Sequence, residues 1–281
     1  MSMEHLGSFM RSGMAARTDL QTPEYGAIFR LLEEVQGEFL AHETEFRSPE
    51  YRWPRDPLHN WSRVWEYPYA YGHLRRYHEE WRGAEQPLVV DLGSGVTFFP
   101  FAVARLGYPV LCLDVDPVCE TDLRRAVEIV PQGAGRVEVA LMEDGRLPMA
   151  NESTDAVYCI SVLEHIPDFG KTIAEVARVL RPGGLFILTV DIGMCGWLEI
   201  GAERYYAMRP ALEHEFQMVY PEVMPHPQDF IMQNEPLAGW RGVLRLAKFR
   251  VRQDLRRLRG RTPYQHYPNL GVWGAVMERS G

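Results

Sequence analysis

Leu88-Val89-Val90-Asp91-Leu92-Gly93-Ser94-Gly95 is the stretch that decides the fold. An apolar run ends in an acid and breaks into two glycines one residue apart. That pattern opens a strand, a tight loop and a helix in a nucleotide-binding α/β domain. Glycine there lets main chain approach a ligand that a Cβ would hold off. Ordinary tight turns also place glycines after strands, so the reading rests on further motifs downstream at fixed distances.

Beyond this stretch, strand and helix patterns alternate. Strands are predicted near 88–91, 109–114, 136–141, 155–161 and 185–190, and helices near 97–107, 117–129 and 170–180. Such alternation implies right-handed crossovers and a parallel sheet. Upstream, Ile28, Leu31, Leu32, Val35 and Phe39 recur at helical spacing behind a Thr22-Pro23 start signal, so 22–45 reads as helix. An aromatic-rich stretch comes next, from Tyr51 to Trp81. Prolines at 54, 57 and 68 predict short helices and turns there. Beyond Asp191 the pattern loosens into a helix over 203–218, a Pro-rich segment over 220–240, a basic helix over 240–259 and a closing strand from Leu270 to Glu278.

The 281 residues suffice for one large domain with an extension. No apolar run is long enough to span a bilayer, and residues 1–20 lack a secretory core, reading instead as a mobile leader. Cys112, Cys119, Cys159 and Cys195 are scattered and suit reduced thiols in a cytoplasmic protein better than disulfides or a zinc site. No grouping of His, Cys or carboxylates demands a metal. The net charge of −8 is uneven: nine Arg and Lys stand against one acid between Arg241 and Arg261. The acidic remainder is a poor general binder of nucleic acid.

Acids end the next strands. Asp114 closes Leu113-Asp114-Val115-Asp116, twenty-one residues after Gly93, where a carboxylate can accept from two ribose hydroxyls. Asp116 is the alternative; its other role is to cap the helix that begins at Pro117. The third strand runs into Glu143-Asp144-Gly145-Arg146-Leu147-Pro148, where an acid can accept from an adenine amine. A dinucleotide fingerprint would need a third glycine at 98, and Phe98 is there.

The series VVDLGSG, LDVD, EDGRLP, STDAVYCISVLEHIPD, VLRPGG and FILTV, over about 86–191, resembles the class I S-adenosylmethionine (SAM)-dependent methyltransferases of the methyltransferase-11 type. The resemblance implies a Rossmann-like, seven-stranded, mostly parallel sheet with helices on both faces. It also implies SAM as cofactor and S-adenosylhomocysteine as product. By motif position it places Asp91, Gly93, Ser94, Gly95, Asp114 and Val115 at the cofactor. Glu143 takes the side-chain position beside adenine and Asp144 the backbone position; Ser161 falls near the sulfonium. Leu180-Arg181-Pro182-Gly183-Gly184 is a structural turn. Members of this class that methylate nucleic-acid amines carry an (Asn/Asp/Ser)-Pro-Pro-aromatic motif after the fourth strand, and those that methylate cytosine carbon use Pro-Cys. This chain has neither, which argues against base chemistry.

Methyl transfer from a sulfonium chiefly requires alignment of the nucleophile, and a base helps when the acceptor is a hydroxyl. His165 and His214 are the candidate bases. For His165 the alternative is that it and Glu164 hold the loop. Trp65, Tyr69 and Tyr71 are the candidate acceptor wall, with packing of the extension onto the sheet as the alternative. The helix over 241–261 keeps Leu244, Ala247, Val251, Leu255 and Leu258 on one stripe. It admits three partners: the acidic body or a second subunit, an anionic acceptor such as a phosphorylated or lipid-linked glycan, and an anionic membrane surface.

The expected organisation is therefore a leader (1–20), an aromatic-rich helical cap (21–85) and a methyltransferase domain (86–281) with an insertion over about 195–262 before the last strand. The expected activity is methylation of a small-molecule hydroxyl on a sugar or secondary metabolite. Methylation of a protein or RNA docked on 241–261, and SAM binding without catalysis, are the alternatives.

Overall fold

The computed structural model describes residues 10–55, 57–83, 85–193, 200–233, 240–260 and 270–281. Its strands are β1 (Ser12–Met14), β2 (Val89–Leu92), β3 (Pro109–Asp114), β4 (Arg136–Leu141), β5 (Thr154–Ile160), β6 (Leu180–Gly193), β7 (Phe216–Met218), β8 (Glu222–Val223) and β9 (Leu270–Arg279). Its helices are α1 (Pro23–Ala41), α2 (Glu43–Phe46), α3 (Arg63–Glu80), α4 (Phe99–Ala104), α5 (Pro117–Ile129), α6 (Phe169–Val179), α7 (Ile200–Glu215) and α8 (Trp240–Leu258).

The strands form one sheet in the order β4-β3-β2-β5-β6-β9-β1-β8, with β7 also on β9. β2 to β6 pair in parallel and β9 runs antiparallel to β6. Strand order reverses between β2 and β5, which opens a crevice at their carboxyl ends. Two core layers cover the sheet. One holds Ile28, Phe39, Trp65, Phe101 and Leu123 from α1 and α3–α5. The other holds Ile173 and Val176 from α6 and Met208 and Leu212 from α7. This is the expected α/β architecture, with nine strands where seven are expected.

The extra strands come in part from the segment expected to be a mobile leader. Ser12–Met14 is buried and pairs antiparallel to Trp273 and Gly274 of β9. β7 takes the next part of the same edge, opposite Met277 to Arg279. A strand edge left bare exposes unpaired main-chain groups, and both short strands cover it.

The aromatic stretch also departs from expectation. α3 runs unbroken for 18 residues with Pro68 inside it. Proline removes the donor that would bond the carbonyl four residues earlier. The Tyr25 hydroxyl donates to that carbonyl, of Val64, at 2.9 Å. The predicted helix 22–45 begins as expected, with the Thr22 side chain accepting from the Tyr25 N–H, but breaks at His42 between α1 and α2. The last residues of the predicted helix 203–218 form β7 instead.

Candidate active site

β2 delivers Asp91 and the glycine loop into the crevice. Gly93 and Gly95 have φ of 77° and 54°, a region that a side chain disfavours. A Cβ on Gly93 would stand 2.5 Å from Val162, so the loop after β2 lies against the loop after β5. The loop's amides are already engaged. Gly93 and Ser94 donate to the Leu113 carbonyl, at 2.8 and 3.2 Å. Gly95 donates to Asp114 Oδ2 at 2.8 Å and Val96 to the Tyr51 hydroxyl at 3.4 Å. The next helix, α4, begins at Phe99 and has only six residues, fewer than the predicted 97–107.

Asp114 also accepts from the Asp116 N–H at 2.9 Å, while Asp116 caps α5 by accepting from Val118. Val115 is 63% exposed beside them. One strand further, Asp144 and Gly145 have φ of 52° and 69°, giving a two-residue turn bridged between Glu143 and Arg146. Both acids of that turn are exposed. The Met142 N–H donates to the Asp114 carbonyl at 2.7 Å, so the acidic ends of β3 and β4 stand side by side. Burial raises the Asp91 carboxyl to about 8, with the Tyr158 hydroxyl opposing and the Asp114 charge adding. The Ser94 hydroxyl is buried with no hydrogen-bond partner among the described residues.

On the other side of the glycine loop lies a cluster that sequence reasoning did not assemble. Glu66, on α3, is fully buried. Its Oε1 accepts from the Ser161 and Thr189 hydroxyls at 2.6 and 2.7 Å, and its Oε2 pairs with Arg63. Ser161 holds φ of 48°, which turns the chain sharply out of β5. Glu164 lies in the 3-10 turn Leu163–His165, and its Oε1 accepts from the Asp191 N–H at 3.0 Å. Glu164 Oε2 and Asp191 Oδ1 are buried without hydrogen-bond partners among the described residues. Among the three carboxylates, Glu66 is the one ion-paired with Arg63, whose charge Glu164 and Asp191 feel from further off. Burial raises Glu164, with the Glu66 charge adding and the Asp191 N–H and Arg63 opposing. Burial likewise raises Asp191, with Glu66 and Glu164 adding and Arg63 opposing.

A family model described as a methyltransferase domain, Methyltransf_11, matches residues 90–188. These residues are a class I SAM-dependent methyltransferase domain. An uncharacterised methyltransferase of Mycobacterium sp. strain JLS is 34% identical over 119 residues, 42% of this chain and 44% of its own. A ubiquinone biosynthesis O-methyltransferase of Paracidovorax citrulli is 30% identical over 134 residues, 46% of this chain and 55% of its own. The chain spans about half the length of the curated relatives it matches. Among solved structures, the YcgJ protein of Bacillus subtilis shares the fold, with a TM-score of 0.50 at 14% identity over 75% of this chain and 97% of that one.

The methyltransferase domain's crevice suits its cofactor. SAM carries a sulfonium and an ammonium, and the crevice offers the carboxyls of Asp91, Asp114 and Glu143 together with the orphaned Ser94 hydroxyl. Because the Gly93 to Val96 amides are spent on the protein, this loop presents to a ligand its bare glycine Cα atoms and the Ser94 hydroxyl, beside the acidic side chains.

The acceptor-side expectations fare differently. Trp65 and Tyr69 do not wall a pocket. They are fully buried and stack at 4.3 Å, and their rings fill the space where a Cβ on Gly274 would stand. Trp65 Nε1 donates to Asp19 at 2.9 Å and the Tyr69 hydroxyl to the Arg11 carbonyl at 2.8 Å, so both anchor the extension to the sheet. Tyr71 is buried in the same layer. His165 is exposed at the end of the turn that carries Glu164. His214 is on the last turn of α7, which leads into β7 opposite Met277 to Arg279. That part of β9 faces the start of β6, at the sheet edge opposite the glycine loop, so His214 is not brought to the site. What the cap does contribute are Tyr51, at the loop, and Arg63 and Glu66, at the end of β5. Cys112, Cys119 and Cys159 are buried free thiols; Cys195 lies outside the described residues. No described helix is long and apolar enough to cross a membrane.

Proposed function

We propose that this chain transfers a methyl group from SAM to a hydroxyl of a small molecule, with Glu164 receiving the acceptor's proton beside Asp191. Bound at the crevice, SAM supplies an electrophilic methyl group. Asp91, Asp114 and Glu143 hold the cofactor through its ammonium, ribose and adenine. Glu66, fixed by Ser161, Thr189 and Arg63, keeps the neighbouring loop in place. The observation that carries the reading is the pair of buried carboxylate oxygens, Glu164 Oε2 and Asp191 Oδ1, left without hydrogen-bond partners beside the glycine loop. Burial raises Glu164 to about 7, so that it ionises and can take a proton near neutral pH, while Asp191, raised to about 9, stays protonated beside it. The relative from Paracidovorax citrulli, named for O-methylation, agrees with a hydroxyl acceptor.

The test is S-adenosylhomocysteine formation with a panel of phenolic, catecholic and sugar acceptors. Glu164→Gln should slow turnover about 10²–10⁴-fold while leaving SAM affinity unchanged, and Asp191→Asn should slow it less. Turnover only with amine acceptors, or full activity in both variants, defeats the proposal.

A further inference from the structure

Helix α8 carries a second kind of information. Leu244, Val251, Leu255 and Leu258 are 47%, 57%, 44% and 83% exposed. At about 100° per residue, these four fall within an arc of roughly 60°. An apolar stripe this narrow and this exposed is unusual on the surface of a body that could bury it. Along one flank of the stripe, within about the next 100° of arc, come Lys248 and Arg252, with Arg259 following in the turn just past the helix, all exposed. Asp254 is the only acid in the helix. Outside 241–261 the chain has 21 Lys and Arg against 37 Asp and Glu. The rest of the molecule is therefore repelled by any anionic surface that this helix would attract.

We propose that α8 lies on a bilayer bearing acidic phospholipids, its leucine stripe in the acyl boundary and its cations at the headgroups. Apolar area and positive charge on adjoining faces of one helix are the combination such a surface binds. A helix resting on the acidic body would cover either these cations or the stripe; Lys248, Arg252, Arg259 and the stripe all stay open. The proposal does not depend on the acceptor of the methyl group.

The experiment is flotation of the full chain with vesicles of phosphatidylcholine alone and of phosphatidylcholine with phosphatidylglycerol, at low and high salt. The chain should float with the acidic vesicles at low salt and stay behind with the neutral ones. Replacing Lys248, Arg252 and Arg259 by Gln should weaken the partitioning about a hundredfold. Leu255→Gln with Leu258→Gln should also reduce it, with SAM affinity and melting temperature unchanged in both variants. Failure to float with acidic vesicles overturns the proposal, as does equal binding to both vesicle types. So does a dimer in sedimentation that the leucine variants convert to monomer, because the stripe's occupant is then a second copy.

Discussion

The Tyr25 hydroxyl and the Val64 carbonyl meet at 2.9 Å, and this contact replaces the helical bond that Pro68 cannot make. It lets α3 continue past a proline, so that Arg63, Glu66 and Tyr67 arrive at the sheet on one rigid element. Tyr25→Phe keeps the ring stacked on Phe29 and removes only the donor. The expected cost is about 1–3 kcal/mol, read as a lower urea midpoint with an unchanged slope. No change in midpoint would mean that water serves Val64 equally well.

Glu66 should be far less replaceable. Glu66→Ala leaves the Arg63 guanidinium without its carboxylate and the Ser161 and Thr189 hydroxyls without their acceptor. A loss of about 3–5 kcal/mol is expected for breaking such a pair from one side. Glu66→Gln retains an acceptor oxygen and should lose less. Equal stability of the two variants in equilibrium unfolding would contradict this account of the cluster.

The same cluster sets a pH dependence. Asp191 and Glu164 have folded-state pKa values above their unfolded ones, so the folded chain binds more protons than the unfolded chain. The stabilisation is complete below the unfolded carboxylate pKa and is lost as pH rises through the folded values. The ligand-free protein should therefore melt at lower temperature at about pH 9 than at about pH 6, with Asp91, raised to about 8, contributing in the same direction. Asp191→Asn should flatten the slope. A melting temperature that climbs across this interval would refute the burial argument.

Asp114 holds the Gly95 and Asp116 amides, and in the proposed function it holds the cofactor as well. Asp114→Asn should weaken SAM binding about 10–100-fold, the value of a charge-assisted contact. Titration calorimetry at fixed pH measures it. Unchanged affinity would remove this residue from the cofactor site.

The parallel sheet was readable from local signals because β2, β3 and β4 are short apolar or alternating runs with Asp91, Asp114 and Glu143 at or near their carboxyl ends, and each signal is complete within a few residues. The Glu66 cluster was not. Glu66 is one acid among aromatics, and its partners Ser161 and Thr189 lie 95 and 123 residues away. Trp65 and Tyr69 look like pocket residues by type; only the packing against Gly274 shows that the absence of a side chain on β9 made room for them. Pro68 reads as an interruption until Tyr25, on another helix, supplies the missing donor. Ser12–Met14 gives no strand signal, because its pairing is with a segment some 260 residues distant.

That pairing has a consequence for biosynthesis. β9 sits between β6 and β1, so two strands made early wait, one side bare, for the stretch 270–279 to leave the ribosome. Until then the main-chain groups along that edge of β6 face solvent or a chaperone. The sheet is thus completed only after β9 has left the ribosome, whatever structure the nascent β2–β5 region has already acquired.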